Sequence, residues 1–211
     1  MKVCLIYASP KAKESTSEVL IHMLKKEMGE EESKEYQWNQ NCVSEEEIKE
    51  LLESEVIVLA FPLYVDSLPS HLLRNLIQIE KAIKRQESSS KPKIYGIVNA
   101  GFFEGKQTLL AMECIKNWSK KCRFTFAGGI GIGGGGMIKA IQDLPNQSPP
   151  KKRIHQALKQ LAENILQGKE EEIRTIDPQY PKLLYKLQAE HGWRIMAKRN
   201  GLKRKDLDKK W

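Results

Sequence analysis

The sequence predicts an α/β protein built on a parallel, doubly wound sheet with helices covering both of its faces. Short apolar runs alternate along the chain with longer segments whose apolar residues recur at helical spacing, and this alternation is typical of a mostly parallel sheet. The central runs are continuously apolar and rich in β-branched residues, as expected of strands that are covered on both faces. Because the connections between parallel strands are right-handed crossovers, only a few sheet topologies remain possible.

Length and composition restrict the class of protein. The 211 residues are 40% hydrophobic and 29% charged, which indicates a soluble globular chain with one substantial core. No apolar run approaches the length of a membrane span, and the first strand begins at once, without a signal-peptide pattern. The cysteines form no C-x-x-C pair and the histidines show no metal-ligand spacing, so we expect a cytoplasmic protein without a metal or an iron–sulfur cluster.

The first element is a buried strand over residues 2–7, followed by a helix that reaches about residue 28. The loop between them, residues 8–17, is rich in hydroxyl groups and contains two lysines. A helix start offers free backbone N–H groups and the positive end of the helix dipole, so this loop suits a phosphate group. An ordinary helix cap at Ser15 or Ser17 explains the same pattern, and the sequence alone leaves both interpretations open.

The next elements surround the strongest strand of the chain. Residues 34–38 predict a short strand, and Ser44 begins a capped helix that reaches residue 52. Residues 55–61 give the clearest strand, which ends in a loop, residues 62–69, with a proline at each end. The long helix after this loop has five apolar residues at predicted inward positions: Leu72, Leu73, Leu76, Ile77 and Ile83.

The second half of the chain continues the alternation. After a polar turn at residues 86–91, residues 93–98 and 123–127 predict two more strands, the latter being the last of five. The helix between these strands presents a stripe of apolar residues: Leu109, Met112, Ile115 and Trp118. Residues 154–166 keep near-ideal helical spacing, and residues 168–179 are predicted to be a polar link.

A glycine-rich loop at residues 128–136 contains the pattern G-x-G-x-x-G, which marks a dinucleotide site when it follows the first strand of a βαβ unit. Here the pattern follows the last predicted strand, and no later strand brings an acidic residue to it. We therefore interpret it as a tight loop at the rim of a site rather than as a cofactor fingerprint.

Ligands of doubly wound sheets bind beyond the carboxyl ends of the strands, where the strand order reverses. With the strand order 2-1-3-4-5, three chemically distinctive loops meet there: residues 8–17, 62–66 and 99–103. The first loop suits a phosphate. The other two offer apolar and aromatic side chains for the faces of a flat ring and backbone groups for its edges, and FMN satisfies this combination best.

These loops resemble those of the flavodoxin-like NADPH-dependent FMN reductases, a family of NAD(P)H-dependent oxidoreductases with quinone-reductase and multimeric-flavodoxin branches. Residues 9–17 are similar to the Ser-Pro-basic phosphate loop of that family, residues 61–69 to its Pro-x-Tyr loop, and residues 99–102 to its second ring-binding loop. The resemblance covers about residues 1–145. The chain departs from the family at Ala8, which replaces a common glycine, and in having one glycine in the third loop.

The resemblance implies a flavodoxin-like fold, with five strands in the order 2-1-3-4-5. It also implies FMN as cofactor, NAD(P)H as co-substrate, a small electron acceptor such as a quinone, and a homo-oligomer, either dimer or tetramer. Five residues would hold the FMN phosphate: Ser9, Lys11, Ser15, Thr16 and Ser17. Seven residues would line the isoalloxazine ring: Pro62, Leu63, Tyr64, Val65, Asn99, Gly101 and Phe102. Because the flavin carries the chemistry, no side chain is expected to be obligatory for catalysis. Tyr64 is the best candidate for stacking or proton delivery, and a buried structural tyrosine is the alternative.

The charge of the chain is concentrated at its end. Residues 180–211 contain ten lysines and arginines against three acidic residues, so +7 of the net charge of +8 lies in this segment. We interpret it as a basic helical extension of a flavin-binding domain, residues 1–179, and expect it to pack on that domain or on a partner subunit.

Two other functions remain open at this stage. One is a flavodoxin that carries electrons without reacting with NAD(P)H, although such carriers are usually acidic. The other is a binding module that uses the basic extension on nucleic acid, although the sequence contains no recognised reading motif and does not favour this partner. The identity of the acceptor and the choice between NADH and NADPH are also open.

Overall fold

The computed structural model describes residues 1–11, 13–39, 42–86, 91–203 and 206, without the side chain of Gln86. Outside the described residues lie Ala12 in the first loop, most of the predicted polar turn (87–90), and the end of the basic extension (204, 205 and 207–211). The chain divides into two units, Met1–Pro178 and Gln179–Trp211.

The first unit is organised by a parallel sheet. Its strands are β1 (Val3–Tyr7), β2 (Ser33–Gln37), β3 (Val56–Pro62), β4 (Lys93–Asn99), β5 (Thr125–Ile132) and β6 (Arg174–Ile176). They lie in the order β2-β1-β3-β4-β5-β6, so the predicted α/β class and the order 2-1-3-4-5 are confirmed. The prediction of five strands is wrong by one, because the segment predicted as a polar link adds β6 to the far edge of β5.

Helices cover both faces of the sheet. They are α1 (Thr16–Met28), α2 (Glu45–Glu53), α3 (Ser70–Gln86), α4 (Leu109–Lys121), α5 (Ile138–Ile141) and α6 (Pro149–Leu166). α1, α5 and α6 share one hydrophobic core with the sheet, and α2, α3 and α4 share the other. In β1, Leu5 belongs to the first core and Ile6 to the second, which is the alternation that a doubly covered strand requires.

α1 and α2 begin with the same capping box. The hydroxyl oxygen of Ser15 accepts from the Glu18 N–H at 3.1 Å, and the Glu18 carboxylate accepts from the Ser15 N–H at 3.0 Å. Ser44 and Glu47 repeat this exchange at 3.1 and 2.8 Å. Each box satisfies two backbone donors that the helix cannot pair, so it fixes the residue at which the preceding loop ends.

β5 runs through residues that were predicted to form a glycine-rich loop. The strand was expected to end at residue 127, but it continues to Ile132. The backbone of β4 lies so close that a Cβ atom on Gly129 would be 2.3 Å from the carbonyl oxygen of Gly96. Glycine is required here by close approach rather than by a turn, and the loop proper begins at Gly133.

The predicted inward faces of two helices are only partly correct. Leu72 and Leu76 of α3 are buried, whereas Leu73 is 49% and Ile77 is 42% exposed. Leu109, at the start of α4, is also exposed. Each helix turns only one stripe of residues toward the sheet, so apolar residues beyond that stripe remain in contact with solvent.

The second unit contains α7 (Lys182–Arg199), which ends before a left-handed glycine, Gly201, with φ of 76°. The structure describes every residue of α7, and none of them is buried. Six of its large apolar side chains are exposed: Leu183, Leu184, Leu187, Trp193, Ile195 and Met196. In the described part of the chain, no helix combines the length and the hydropathy needed to cross a membrane.

Candidate functional site

The candidate site lies where the strand order reverses. β1 has β2 on one side and β3 on the other, so the loops after β1 and β3 diverge from neighbouring strands at the carboxyl edge of the sheet. Two backbone hydrogen bonds join these loops to each other and to the loop after β4. The Ala8 N–H donates to the Ala60 carbonyl at 2.8 Å, and the Leu63 N–H donates to the Asn99 carbonyl at 2.8 Å. The three loops predicted to converge are therefore neighbours.

Asn99 joins all three loops through its side chain. It is 6% exposed, and its amide donates to the Ser17 hydroxyl at 2.9 Å and to the Phe61 carbonyl at 3.2 Å. The residue was predicted to lie against the edge of a ring. In the structure, its side chain joins the end of β3 to the first turn of α1.

The serines of the first loop are all buried and all act as hydrogen-bond acceptors. Ser9 accepts from the Lys11 N–H at 3.4 Å, Ser15 from the Glu18 N–H, and Ser17 from the Asn99 side chain. Among the described residues, no acceptor is found for the proton of any of these three hydroxyls. Three hydroxyl donors are thus left over at one loop, which is the chemistry of an anion site.

Backbone and charge add to this donor set. The Thr16 and Ser17 N–H groups open α1 and have no acceptor within the helix, since the first turn of a helix lacks the preceding carbonyls. Lys11, in the loop that precedes α1, is exposed. The Thr16 hydroxyl is already committed, because it donates to the Gly135 carbonyl at 3.3 Å. Of the five residues predicted to hold a phosphate, Thr16 thus has its backbone N–H, but not the proton of its hydroxyl, available for a ligand.

The tips of the second and third loops carry exposed apolar groups. Tyr64 is 45%, Val65 96% and Phe102 55% exposed. Residues 62–69 fold back on themselves, since Tyr64 and Ser67 exchange two backbone hydrogen bonds of 3.0 Å. Val65 sits at this turn with φ of 47°, a conformation that β-branched residues rarely adopt.

The remaining predicted ring residues frame these tips. Pro62 ends β3, and Leu63 packs against the core beneath the loop. Gly101 faces open space, since a Cβ atom there would meet no heavy atom within 4 Å. The exposed side chains, with the open space beside the Cα atom of Gly101, form a surface that a flat ring could contact without moving the core.

The loop after β5 closes one side of this surface. The Gly135 N–H donates to the Ala100 carbonyl at 2.7 Å, and the Gly134 N–H to the Phe102 carbonyl at 2.6 Å. A Cβ atom on Gly133 would lie 2.0 Å from the Phe103 carbonyl oxygen. The part of the glycine-rich stretch that is a loop therefore supports the third loop from behind.

Sequence reasoning missed the support that comes from the end of β6. The Asp177 carboxylate accepts from the Gly105 N–H at 2.7 Å, and the Ile176 carbonyl accepts from the Gly133 N–H at 2.9 Å. A three-residue strand inside a charged segment gives no periodic signal. The one feature of the sequence that could have indicated this support is Asp177, directly after the strand.

The sequence showed no metal-ligand spacing among the histidines, but the burial of one of them was not predicted. His71, at the start of α3, is 7% exposed, and its ring faces the backbone of Ala8 and Trp38 at the carboxyl ends of β1 and β2. Burial lowers the pKa of His71, so the imidazole is neutral at pH 7. In the described ranges of the chain, no group of three His, Cys, Asp or Glu side chains is placed to hold a metal ion.

Comparisons with known proteins show the fold. No protein-family model matches the sequence, and a search of curated proteins finds no match. Solved structures do match. The NADPH-quinone reductase from P. pentosaceus has 17% identity and a TM-score of 0.59, over 77% of this chain and 98% of that one.

Two further matches agree. The NAD(P)H:quinone oxidoreductase from Methanothermobacter marburgensis has 14% identity and a TM-score of 0.54, over 78% of this chain and 96% of that one. The Streptococcus pneumonia TIGR4 flavodoxin has 10% identity and a TM-score of 0.53, over 80% of this chain and 99% of that one. The first unit thus has the flavodoxin-like fold that the sequence predicted. At identities this low, the matches show the fold but not the function, which has to be argued from the residues of this chain.

Proposed function

We propose that this protein is an FMN-dependent oxidoreductase that takes electrons from NAD(P)H and passes them to a small acceptor such as a quinone. The observation that carries the proposal is the set of three buried serine hydroxyls, Ser9, Ser15 and Ser17, that accept hydrogen bonds within the protein and have no described acceptor for their own protons. Their position beside the open N-terminus of α1 suits a phosphate monoester.

The residues present fit FMN. The three hydroxyls, the Thr16 and Ser17 N–H groups and Lys11 supply donors and one positive charge for the phosphate. Tyr64, Val65 and Phe102 supply apolar surface for the ring. When bound, the flavin would supply hydride acceptance and electron transfer.

The protein would orient and shield the cofactor rather than act as an acid or base. Asn99 fixes the three loops relative to one another, so the phosphate end and the ring end of the cofactor would be held by one rigid frame. The exposed phenol of Tyr64 is the side chain at this surface that can stack on a ring or exchange a proton with solvent. Two of the matching structures are described as quinone reductases, which supports the choice of reductant and acceptor for a test.

The first test compares FMN with riboflavin, which has the same ring but no phosphate. The purified protein is titrated with each, and binding is followed by quenching of flavin fluorescence. We expect FMN to bind at least 100-fold more tightly, because charged hydrogen bonds to the phosphate are each worth roughly 1.5–3 kcal/mol. No binding of either compound, or equal binding of both, would contradict the proposal.

A pair of serine variants tests the site itself. Ser9→Ala removes a buried hydroxyl from the first loop, and we expect FMN affinity to fall about tenfold or more. Ser54→Ala is the matched control, because Ser54 is equally buried at the end of α2, where its hydroxyl donates to the Leu51 carbonyl. FMN affinity of the control should be unchanged.

Anaerobic mixing with NADPH and NADH then separates the functions. Bleaching of the flavin band, followed by its return when a quinone is added, supports the oxidoreductase. Tight FMN binding without reduction by either nucleotide would leave the electron-carrying flavodoxin as the better interpretation.

A further inference from the structure

We propose that α7 docks on the surface of a lipid bilayer that contains anionic lipids. The helix is 18 residues long, and it carries five basic residues against one acidic residue, a net charge of +4. Among the described residues of the second unit, seven large apolar side chains are exposed: Leu183, Leu184, Leu187, Trp193, Ile195, Met196 and Leu202. A helix that exposes both cations and large apolar groups suits a lipid interface, where acyl chains lie beneath charged head groups.

The apolar residues of α7 fall into two stripes, because the helix rotates by about 100° per residue. Four residues share one side of the helix, which we call the open stripe: Leu183, Leu184, Leu187 and Ile195. Four others form a second stripe: Tyr185, Ala189, Gly192 and Met196. The centres of the two stripes are roughly 145° apart around the helix. The helix is therefore not amphipathic as a whole, and each stripe has to be considered by itself.

The two stripes differ in their exposure. Every side chain of the open stripe is exposed, from 70% at Leu183 to 40% at Ile195. In the second stripe, Tyr185 and Gly192 are partly buried, and burial raises the pKa of the Tyr185 phenol. The open stripe is thus the side of α7 whose apolar groups are most available to a partner.

Cations accompany the open stripe. Arg194 and Lys198 lie on the same side of the helix, nearer its C-terminus, and Arg199 lies on the flank of that side. All three residues are exposed, and Arg194 is 3.6 Å from the carboxylate of Glu190. Long basic side chains can lay their stems along apolar surface while their charges stay among head groups. This side of α7 therefore offers leucines toward one end and cations toward the other.

The size of the open stripe favours a lipid surface over a protein. A stable protein interface uses about 20–30 residues from each partner, and the four residues of the open stripe are a small part of that number. A bilayer sets no such minimum, because the burial of each apolar group and the attraction of each cation add to the binding.

The same stripe disfavours nucleic acid as the partner. Phosphates would pair with the cations but would leave four exposed aliphatic side chains without a contact. Single-stranded nucleic acids stack their bases on aromatic rings. Trp193 is the one exposed aromatic ring of α7, a helix described over its whole length, and it lies on the far side from the open stripe. An anionic bilayer is the partner that uses both the cations and the leucines.

The experiment measures how the full chain, without flavin, co-sediments with lipid vesicles. One set of vesicles contains phosphatidylcholine alone, and the other contains about 30% phosphatidylglycerol. We expect at least tenfold stronger binding to the anionic vesicles at low salt, and loss of this difference at about 0.5 M NaCl, because salt screens the attraction. Equal binding to both sets, or binding to neither, would overturn the proposal.

A double variant tests the open stripe. Leu183→Gln/Leu187→Gln removes two of its four apolar side chains, so we expect binding to the anionic vesicles to weaken at least tenfold. Leu144→Gln/Leu166→Gln is the control, because both leucines are exposed in the first unit. Equal losses in the two double variants would mean that the leucines of α7 make no special contact, and the proposal would fail.

A second double variant tests the cations. Lys198→Gln/Arg199→Gln removes two positive charges from the last turn of α7 and should weaken binding about tenfold or more, since each cation near an anionic surface is worth about fivefold. Lys120→Gln/Lys121→Gln is the matched control, because it removes the same charge from the last turn of α4. If the control binds as weakly, net charge alone governs binding and the docking of α7 is refuted.

Amide hydrogen exchange locates the contact in the unmodified protein. Residues 183–195 should exchange more slowly with anionic vesicles than with phosphatidylcholine vesicles, whereas α4 should not change. Protection confined to the first unit would contradict the proposal. So would salt-sensitive binding of a single-stranded RNA by a chain that ignores both sets of vesicles, which would assign α7 to nucleic acid instead. Since no flavin is present, these outcomes are independent of the proposed function.

Discussion

The side-chain amide of Asn99 donates a hydrogen bond to the hydroxyl of Ser17 across 2.9 Å, although 82 residues separate the two in the sequence. This bond ties the end of β4 to the first turn of α1, and a second bond from the same amide reaches the end of β3. The parts of the candidate site that would hold a phosphate and a ring are therefore coupled through one buried side chain.

Asn99→Ala should weaken both stability and the site. Removing the amide leaves the buried Phe61 carbonyl without this donor, so we expect the free energy of unfolding to fall by about 1–3 kcal/mol. Urea denaturation measures this change, and a flavin titration should show weaker FMN binding. Asn117→Ala, at an exposed position of α4, is the control and should change stability by less than about 0.5 kcal/mol. Equal losses in the two variants would refute the role given to Asn99.

The two capping boxes provide an internal comparison. Ser15→Ala and Ser44→Ala each remove the same two-way exchange, so each should lower the free energy of unfolding by about 1 kcal/mol. Only Ser15 stands in the loop after β1, so only Ser15→Ala should reduce FMN affinity. A titration of both variants checks this, and an FMN affinity that falls equally in both would mean that the effect comes from helix stability alone.

Two glycines of the loop after β5 should respond in opposite ways to alanine. A Cβ on Gly133 would meet the Phe103 carbonyl oxygen at 2.0 Å, so Gly133→Ala must displace the third loop and should cost about 1–3 kcal/mol. Gly136 has no heavy atom within 4 Å of such a Cβ, and Gly136→Ala should leave stability unchanged or raise it by up to about 1 kcal/mol. Thermal unfolding of the pair decides, and similar midpoints would show that the loop is not constrained as described.

Tyr95 should make stability fall in alkaline solution. Burial raises the pKa of Tyr95 to about 12, and its hydroxyl donates to the Lys169 carbonyl at 2.7 Å. An unfolded tyrosine ionises near pH 10, so between about pH 10 and 12 the unfolded state loses a proton that the folded state keeps. The free energy of unfolding therefore decreases there by about 1.4 kcal/mol per pH unit from this group.

Tyr95→Phe isolates this contribution. The variant should be about 1 kcal/mol less stable than the natural protein at pH 8, because the hydrogen bond is lost, yet it should lose less stability between pH 10 and 12. Urea denaturation at several pH values measures both slopes. Parallel slopes would mean that Tyr95 is not the group that titrates.

The fold was predictable where the chain follows simple periodicity. Residues 55–61 are apolar without interruption and could only be a buried strand, and Ser44 with Glu47 marked the start of α2. The predicted β5 ended too early because residues 128–136, which include Gly129, were interpreted as a glycine-rich loop. Its glycine is instead required by the closeness of a neighbouring strand, which a single sequence does not show.

The sequence predicted which loops meet at the candidate site, but not which of their groups are hydrogen-bonded to one another. Strand ends identify which residues gather at the carboxyl edge, so residues 8–17, 62–66 and 99–103 were found together. Whether a hydroxyl is hydrogen-bonded within the protein or available to a ligand depends on residues that are distant in the sequence. The Thr16 hydroxyl, for example, donates to the Gly135 carbonyl. Likewise, helical spacing alone did not show that Ile77 would be 42% exposed.

The sheet grows outward in the order in which the ribosome delivers its strands. After β1, the strands β3, β4, β5 and β6 each join the edge left by the one before, so no later strand has to be inserted between two that are already paired. A nascent chain emerging N-terminus first can therefore bury each strand and its helix as soon as they leave the exit tunnel. β6 comes last and covers three residues of an edge that five earlier strands have already built.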